Sequence, residues 1–399
     1  MYRVPVISKD NKPLMPTKPS KARKLVRDGK AVGKFNKLGV YYIKLTFEPL
    51  TRKTQPIAIG LDPGKNYSGI GVQSRKITLF TAHLILPFET VKKRMEQRAM
   101  MRRNRRGRRI NRQLAFKLRA HRQKRFNNRR NKKVASSIRA NRQLEIRVIL
   151  EISQIYPISS IVFEYVKADV DLTSGRRKAR AGIEFSPVMV GQNWAIEQLE
   201  KLAPIIKKFG GQTSNLRKHF GLKKQKHLFG DAIPATHAVD GVVLAASQFK
   251  DYLPFENLIG RGHCWQGSVT ITDAPFTVIR RPPISRRQLH LMLPAKGGKR
   301  RKYGGTTTPF GMRKGDLVKY KEKLGFCSGY TGKNISVSDS NWKRLGRYAV
   351  SKVTLVARST NLICQPIIGG AKFPPKDVFI FNREVLYSSQ VVNEVKKLS

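Results

Sequence analysis

Four side chains in three separate stretches have the types and settings that phosphodiester chemistry uses. Asp62 closes the apolar run Ile57-Ala58-Ile59-Gly60-Leu61 just ahead of Pro63-Gly64. Glu164 is the single acid in a second such run, Ser160-Ile161-Val162-Phe163-Glu164-Tyr165-Val166. His237 and Asp240 stand three residues apart in Ala235-Thr236-His237-Ala238-Val239-Asp240, so a helix puts them on one face. A carboxylate at the end of an apolar strand is costly to bury unless it is paired, hydrogen-bonded or metal-bound. Each has an ordinary explanation alone: a turn cap, a core acid paired with a lysine, a polar helix start. Together they match what two-metal hydrolysis needs. Hard Mg²⁺ ions prefer carboxylate oxygens, and two of them roughly 4 Å apart activate the attacking water and stabilise the leaving oxygen. Mn²⁺ is the natural substitute. His237 can orient or deprotonate that water or complete a metal's shell. Zinc is not expected, because Cys264, Cys327 and Cys364 are far apart and no C-x-x-C occurs. The same spacing argues for free thiols rather than disulfides.

Apolar runs too short for helices and bounded by glycine and proline predict strands over 57–61, 67–73 and 77–86, and again over 160–166. Ile138, Leu144, Val148, Ile149, Ile152 and Ile155 form a helical stripe that Pro157 stops. A second helix is expected over 191–202, and 210–230 reads as a basic connection. Ahead of these, residues 1–54 read as a small β-α-β module: a strand at 4–8, a turn at Pro13-Leu14-Met15-Pro16, a basic helix from Ser20 to Gly29, and a strand over 40–47. Beyond Leu253, short β-branched segments and frequent glycines predict a small barrel or sandwich, interrupted by a basic loop at 296–302.

The charge is the other dominant feature. Lysine and arginine number 80 against 25 acids in 399 residues, a net charge of +55. A compact chain carrying that excess calls for a polyanion. Between Lys92 and Lys133, 20 of 42 residues are basic, Glu96 is the only acid and no proline intervenes. One or two long helices are expected there once phosphates screen the charge. Arginine's planar fork suits bidentate phosphate contact, so Arg102, Arg103, Arg105, Arg106, Arg108, Arg109, Arg112 and Arg119 are the candidate nucleic-acid ligands. No apolar run approaches the length of a spanning helix and no secretory leader opens the chain, so membrane is not the expected partner and the cytoplasm is the expected location.

Pro13-Leu14-Met15-Pro16, Gly60-Leu61-Asp62-Pro63-Gly64, the arginine-rich stretch after the third strand, Val162-Phe163-Glu164 and His237-Ala238-Val239-Asp240 come in the order seen in the IscB family of transposon-encoded RNA-guided nucleases, which the chain resembles over nearly its whole length. The resemblance implies an α/β, ribonuclease-H-like (RuvC) domain split by a long arginine-rich bridge helix, with a small N-terminal module and a mostly β C-terminal domain. It apportions the chain as an N-terminal module (1–54), RuvC part I (55–91), bridge helix (92–133), RuvC part II (134–204), a basic connector (205–234), RuvC part III (235–252) and a domain contacting guide RNA and the target-adjacent motif (253–399). It makes Asp62, Glu164, His237 and Asp240 the catalytic set, with the three acids as metal ligands. One departure is informative. IscB proteins carry an HNH nuclease between the second and third RuvC motifs, whereas here 72 residues separate Glu164 from His237 and their two histidines, His219 and His227, lie among basic residues. The resemblance is therefore to the shorter IsrB branch, which implies a nickase of the displaced, non-target strand. Its implied partners are a large guide (omega) RNA and double-stranded target DNA, with one protein chain per ribonucleoprotein. A guide-independent RuvC-like nuclease and a non-catalytic RNA-binding protein are the alternatives.

Overall fold

The computed structural model describes residues 2–107, 110–119, 134–166, 187–225, 232–257, 260–284, 289–293, 299–303, 305–321 and 323–367. The chain divides into two compact units, a mixed α/β one comprising 1–34 and 42–274 and another comprising 35–41 and 275–399, whose described residues form strands and no α-helix. Six α-helices occur among the described residues.

In the first unit the N-terminal strands β1 (Val4–Ile7), β2 (Pro13–Thr17), β3 (Ala31–Phe35) and β4 (Tyr41–Leu45) form a sheet in the order β2-β1-β4-β3, with α1 (Pro19–Arg27) between β2 and β3. The proline-punctuated stretch expected to be a turn is thus a strand, Val6 pairing with Leu14 and Ile7 with Pro13. Proline is tolerated there because β2 is an edge, where a missing N–H removes no ladder bond. The strand at β3 was not anticipated, its alternation being broken by Gly33.

The central sheet is built from β5 (Ile57–Asp62), β6 (Tyr67–Ser74), β7 (Thr78–Ile85), β8 (Ser160–Glu164) and β9 (Ile205–Lys208). Within this unit its order is β7-β6-β5-β8-β9. The first three strands pair antiparallel through tight connections, while β5–β8 and β8–β9 are parallel. Parallel neighbours need a long crossover. One crossover holds α2 (Phe88–Gly107) and α3 (Ser136–Ser153), the next α4 (Pro187–Leu199). Helix α5 (Gly210–His219) lies inside the stretch read as a mere connection, and α6 (His237–Ala246) follows it. Residues 250–267 make a hairpin, β10 (Lys250–Asn257) with β11 (Gly260–Gly267).

Helix α6 lies on β5 and β6 with backbone almost touching backbone. A Cβ at Gly60 would come within 2.0 Å of the Gly241 carbonyl oxygen, and one at Gly71 within 2.4 Å of the Val242 nitrogen. Gly60 and Gly71 face each other across the strand pair, so three glycines clear the floor on which the helix rests. Ile59, Leu61, Ile70, Val72 and Val243 are buried around them.

The arginine-rich segment is helical only in part. Helix α2 starts before it, at Phe88, and ends at Gly107, and residues 110–119 are irregular apart from a short 3₁₀ turn at Phe116–Leu118. Glycine at 107 is a natural stop. Residues 108–109 and 120–133 lie outside the described residues.

In the second unit, β12 (Phe276–Arg280) pairs antiparallel with a C-terminal strand, β20 (Ile363–Ile367). The hairpin of β13 (Leu289–Leu293) with β14 (Lys299–Tyr303) occupies part of the stretch read as a basic loop. Strands β15 (Leu317–Tyr320), β16 (Lys323–Thr331), β17 (Asn334–Ser338), β18 (Arg344–Ala349) and β19 (Val353–Ala357) form an antiparallel sheet in the order β18-β17-β16-β15-β19. Val318, Tyr320, Cys327, Ile335, Val337 and Val353 pack one core beneath it. Cys264, Cys327 and Cys364 form no disulfide with one another.

Candidate active site

Leu61 of β5 pairs with Phe163 of β8 in parallel register. Asp62 and Glu164 are the next residues on their strands, so the two acids emerge side by side at the same end of the sheet, one interstrand spacing of about 4.8 Å apart in backbone terms. Pro63 contributes by keeping Asp62 extended. Helix α6, seated on its glycine floor, brings His237 and Asp240 over the same edge. Asp62 is 8% exposed and Asp240 3%. All four residues expected to act together are brought together.

Nδ1 of His237 lies 3.1 Å from Oδ2 of Asp62. A carboxylate only accepts, so Nδ1 is the donor in that bond, and in the neutral ring the lone pair is on Nε2. The ring sits among others, 5.7 Å from Tyr67 and 5.6 Å from His83. Next to it the Thr236 hydroxyl donates to the Ile233 carbonyl and therefore accepts from Nδ1 of buried His83, 2.9 Å away. That pair ties the start of α6 to β7.

Two cations not anticipated from the sequence meet the acids. Arg217 of α5 donates to Oδ1 of Asp240 at 2.5 Å. Lys224 bonds Oδ2 of Asp240 and lies 3.6 Å from Oδ2 of Asp62, so its ammonium bridges the two aspartates. Burial opposes the charge on Lys224, but Asp62, Asp240 and Glu164 together outweigh it and raise its pKa. Glu164 is pushed up to about 7, first by burial and then by the charge of Asp62, with Asp240 adding to it and a hydrogen bond from Thr213 opposing it. Three carboxylates converging on one spot repel, and the last to ionise shows it.

A further buried layer, also missed, fixes the turn after Asp62. Glu145 of α3 accepts from Arg142 at 2.8 Å and from the Ser68 hydroxyl at 2.5 Å. Arg142 reaches the Gly64 carbonyl at 2.8 Å, and Asn141 reaches that of Lys65 at 2.7 Å. Burial raises the pKa of Glu145 against the pull of Arg142 and Ser68. The sequence signal was faint: Arg142 and Glu145 are an i, i+3 pair beside an apolar stripe, and Arg217 and Lys224 are two among 80 bases.

In kind, three carboxylates beside an imidazole suit hard divalent cations. In placement, Lys224 stands between two of them, and among the described residues no three acidic, histidine or cysteine side chains lie close enough to hold an ion as they stand. The candidate ligands are therefore Asp62, Glu164 and Asp240 after Lys224 withdraws.

The phosphate-contact candidates divide. Arg102 and Arg103 are exposed on α2. Arg105 and Arg106 belong to the same helix, while Arg108 and Arg109 lie outside the described residues. Arg112 is exposed in the irregular segment. Arg119 is committed to its own chain, donating to the carbonyls of Leu114 and Arg112 at 2.9 and 3.0 Å and standing 5.9 Å from the Phe116 ring. Among the described residues no helix is long and apolar enough to cross a membrane.

A family model described as RRXRR protein matches residues 4–186, a little under half of the chain. That region reads Arg102-Arg103-Asn104-Arg105-Arg106 on α2. No curated protein matches. Among solved structures, the chain is similar to Thermus thermophilus RuvC in complex with a Holliday junction substrate, at 11% identity and a TM-score of 0.26 over 48% of this chain and 92% of that one. A second Thermus thermophilus RuvC structure gives 10% identity and a TM-score of 0.25 over the same shares. Likeness at that level carries no argument on fold or activity.

Proposed function

We propose that the chain is an RNA-guided, Mg²⁺-dependent DNA nickase whose catalytic centre is Asp62, Glu164, His237 and Asp240. The observation that carries the reading is the convergence of three carboxylates, from the ends of two parallel neighbouring strands and from a helix laid on them, in a sheet ordered β7-β6-β5-β8-β9. That order, three antiparallel strands followed by two parallel ones, supports the ribonuclease-H-like fold that the sequence resemblance implies.

Asp62, Glu164 and Asp240 would hold the ions, which supply an activated water and charge neutralisation at the leaving oxygen. The chain's own groups do the rest. Asp62 fixes the His237 tautomer, so Nε2 points its lone pair away from the carboxylate and can take the proton of the attacking water. Arg217 and Lys224, paired with the aspartates, would stand beside the negative charge that a scissile phosphate brings. Once the aspartates are otherwise neutralised, both cations are free to turn to that phosphate. The sequence between Glu164 and His237 carries no second nuclease motif, which supports nicking.

Guide dependence is supported by the charge. A compact resolvase has no use for a stretch such as 92–133, whereas a long transcript neutralises it and delegates sequence recognition to base pairing. The working particle is then one chain, one guide RNA and a double-stranded DNA target, acting in the cytoplasm at the nucleoid. The test is to express the chain with its flanking non-coding DNA, sequence the RNA that copurifies, and offer matching supercoiled DNA with Mg²⁺. One discrete transcript with a variable end and a single-strand cut on the non-target strand is the expected result. Cleavage that proceeds after RNase treatment, or heterogeneous RNA without cleavage, would refute it.

A further inference from the structure

Helix α5 has two working sides. Through Thr213 and Arg217 it meets Glu164 and Asp240. Through Gln212, Asn215 and Leu216 it lines a cavity of about 450 Å³ closed by the β10–β11 hairpin, a volume in the range of small-ligand sites. The hairpin wall is aromatic. His219, the last residue of α5, stacks on Trp265 with ring centres 4.0 Å apart and planes 18° from parallel. Trp265 lies 4.9 Å from Tyr252, and Tyr252 stacks on His263 at 5.1 Å and 24°. Tyr252 and Trp265 are cross-strand partners, so the ladder is set by strand register. This is not a core: Tyr252 is 54% exposed and the neighbouring Leu253 42%. Lys250, Asp251 and Lys208, which is ion-paired with Asp251 at 3.6 Å, also line the cavity. Burial and the charge of Lys250 lower the pKa of His219, which favours its uncharged ring.

We infer that this ladder is a base-stacking shelf for unpaired nucleotides of the DNA strand that is cut. Flat exposed rings offer every base a π-face without reading its identity, and lysines beside them hold the backbone. A protein partner is a poorer match, since the chain as a whole is strongly cationic. The strand assignment rests on the nuclease reading above and on α5. Arg217 at the carboxylates and His219 on the shelf are two residues apart, about 3 Å along the helix axis. The two residues point to different sides of α5, so a strand lying on the shelf reaches the acids by rounding the end of the helix.

The test uses 2-aminopurine, whose fluorescence falls when it stacks, placed within a single-stranded oligothymidylate. The full-length chain, with the RNA that copurifies with it and in EDTA, is titrated into this probe. Quenching is expected for the single strand and not for a duplex of the same sequence. Tyr252→Ala, at an exposed position, and Trp265→Ala should each reduce quenching and weaken binding by about tenfold. Trp265→Phe should restore both, and overall salt dependence should stay unchanged because phosphates set it. Absence of quenching, equal quenching in Tyr252→Ala, or stronger quenching of the same probe made in RNA would overturn the inference. Because no metal or cleavage enters the assay, Asp62→Asn must behave like the unsubstituted chain, and failure of the nuclease reading would leave the quenching intact.

Discussion

The carboxylate centre and helix α2 handle charge in opposite ways. At the centre a few acids sit in a largely buried setting, where each is held by named partners: Asp62 by His237 and Lys224, Asp240 by Arg217 and Lys224, Glu164 by Thr213. On α2 many bases stand exposed with Glu89 and Glu96 as the only acids in the helix. Low dielectric makes the first arrangement sensitive to every ångström, whereas solvent and counterions make the second depend on number rather than place. One region is a geometry and the other a quantity of charge.

The sharpest break in that contrast is Asp62→Ala. Cleavage should fall on the order of a thousandfold, while RNA retention, measured by copurification, stays unchanged. Replacing Arg102, Arg103, Arg105 and Arg106 together should do the reverse. The slope of log affinity for RNA against log salt should become shallower by about three, and cleavage by the saturated complex should persist. Loss of assembly from a single arginine, or no change from all four, would remove the contrast from that side.

Geometry without charge is tested at the glycine floor. Gly71→Ala forces a methyl to within 2.4 Å of the Val242 backbone nitrogen. It should destabilise the chain by about 3 kcal/mol in thermal unfolding and shift His237 and Asp240 enough to lower cleavage with all charges retained.

Smaller effects sharpen the picture at Glu164 and Lys224. A folded-state value of about 7 lies above the ordinary value of 4.5, so the metal-free native state favours the protonated acid. Its contribution to stability is present below about pH 4.5 and is lost as pH rises through about 7. Solvent access at Glu164 limits the change to about 1–2 kcal/mol, and Glu164→Gln should flatten it. Lys224→Met removes the ammonium between the aspartates and should tighten Mn²⁺ binding, read by calorimetry, about fivefold.

The same contrast explains how far the sequence could be read. Strands β5 and β8 and their terminal acids were legible because an apolar run leaves a lone carboxylate conspicuous. The helix bearing His237 and Asp240 was legible from spacing. Arg217 and Lys224 were not, because in a chain with 80 bases no basic residue stands out, and α5 was hidden for the same reason. The edge strand at Pro13–Thr17 was misread because proline's turn preference is local and edge placement is decided by tertiary structure. The base-stacking hairpin was missed because register, not composition, aligns Tyr252 with Trp265.

The hydrogen bond between His237 and Asp62 joins residues 175 positions apart in the chain. Long-range closure of that kind comes late in folding. During synthesis β5–β7 emerge before the polycationic segment, and the last candidate ligand, Asp240, appears only with α6. A nascent chain therefore exposes its polycation well before its carboxylate cluster is assembled. On the proposed function, cleavage then waits until a polyanion has had time to bind.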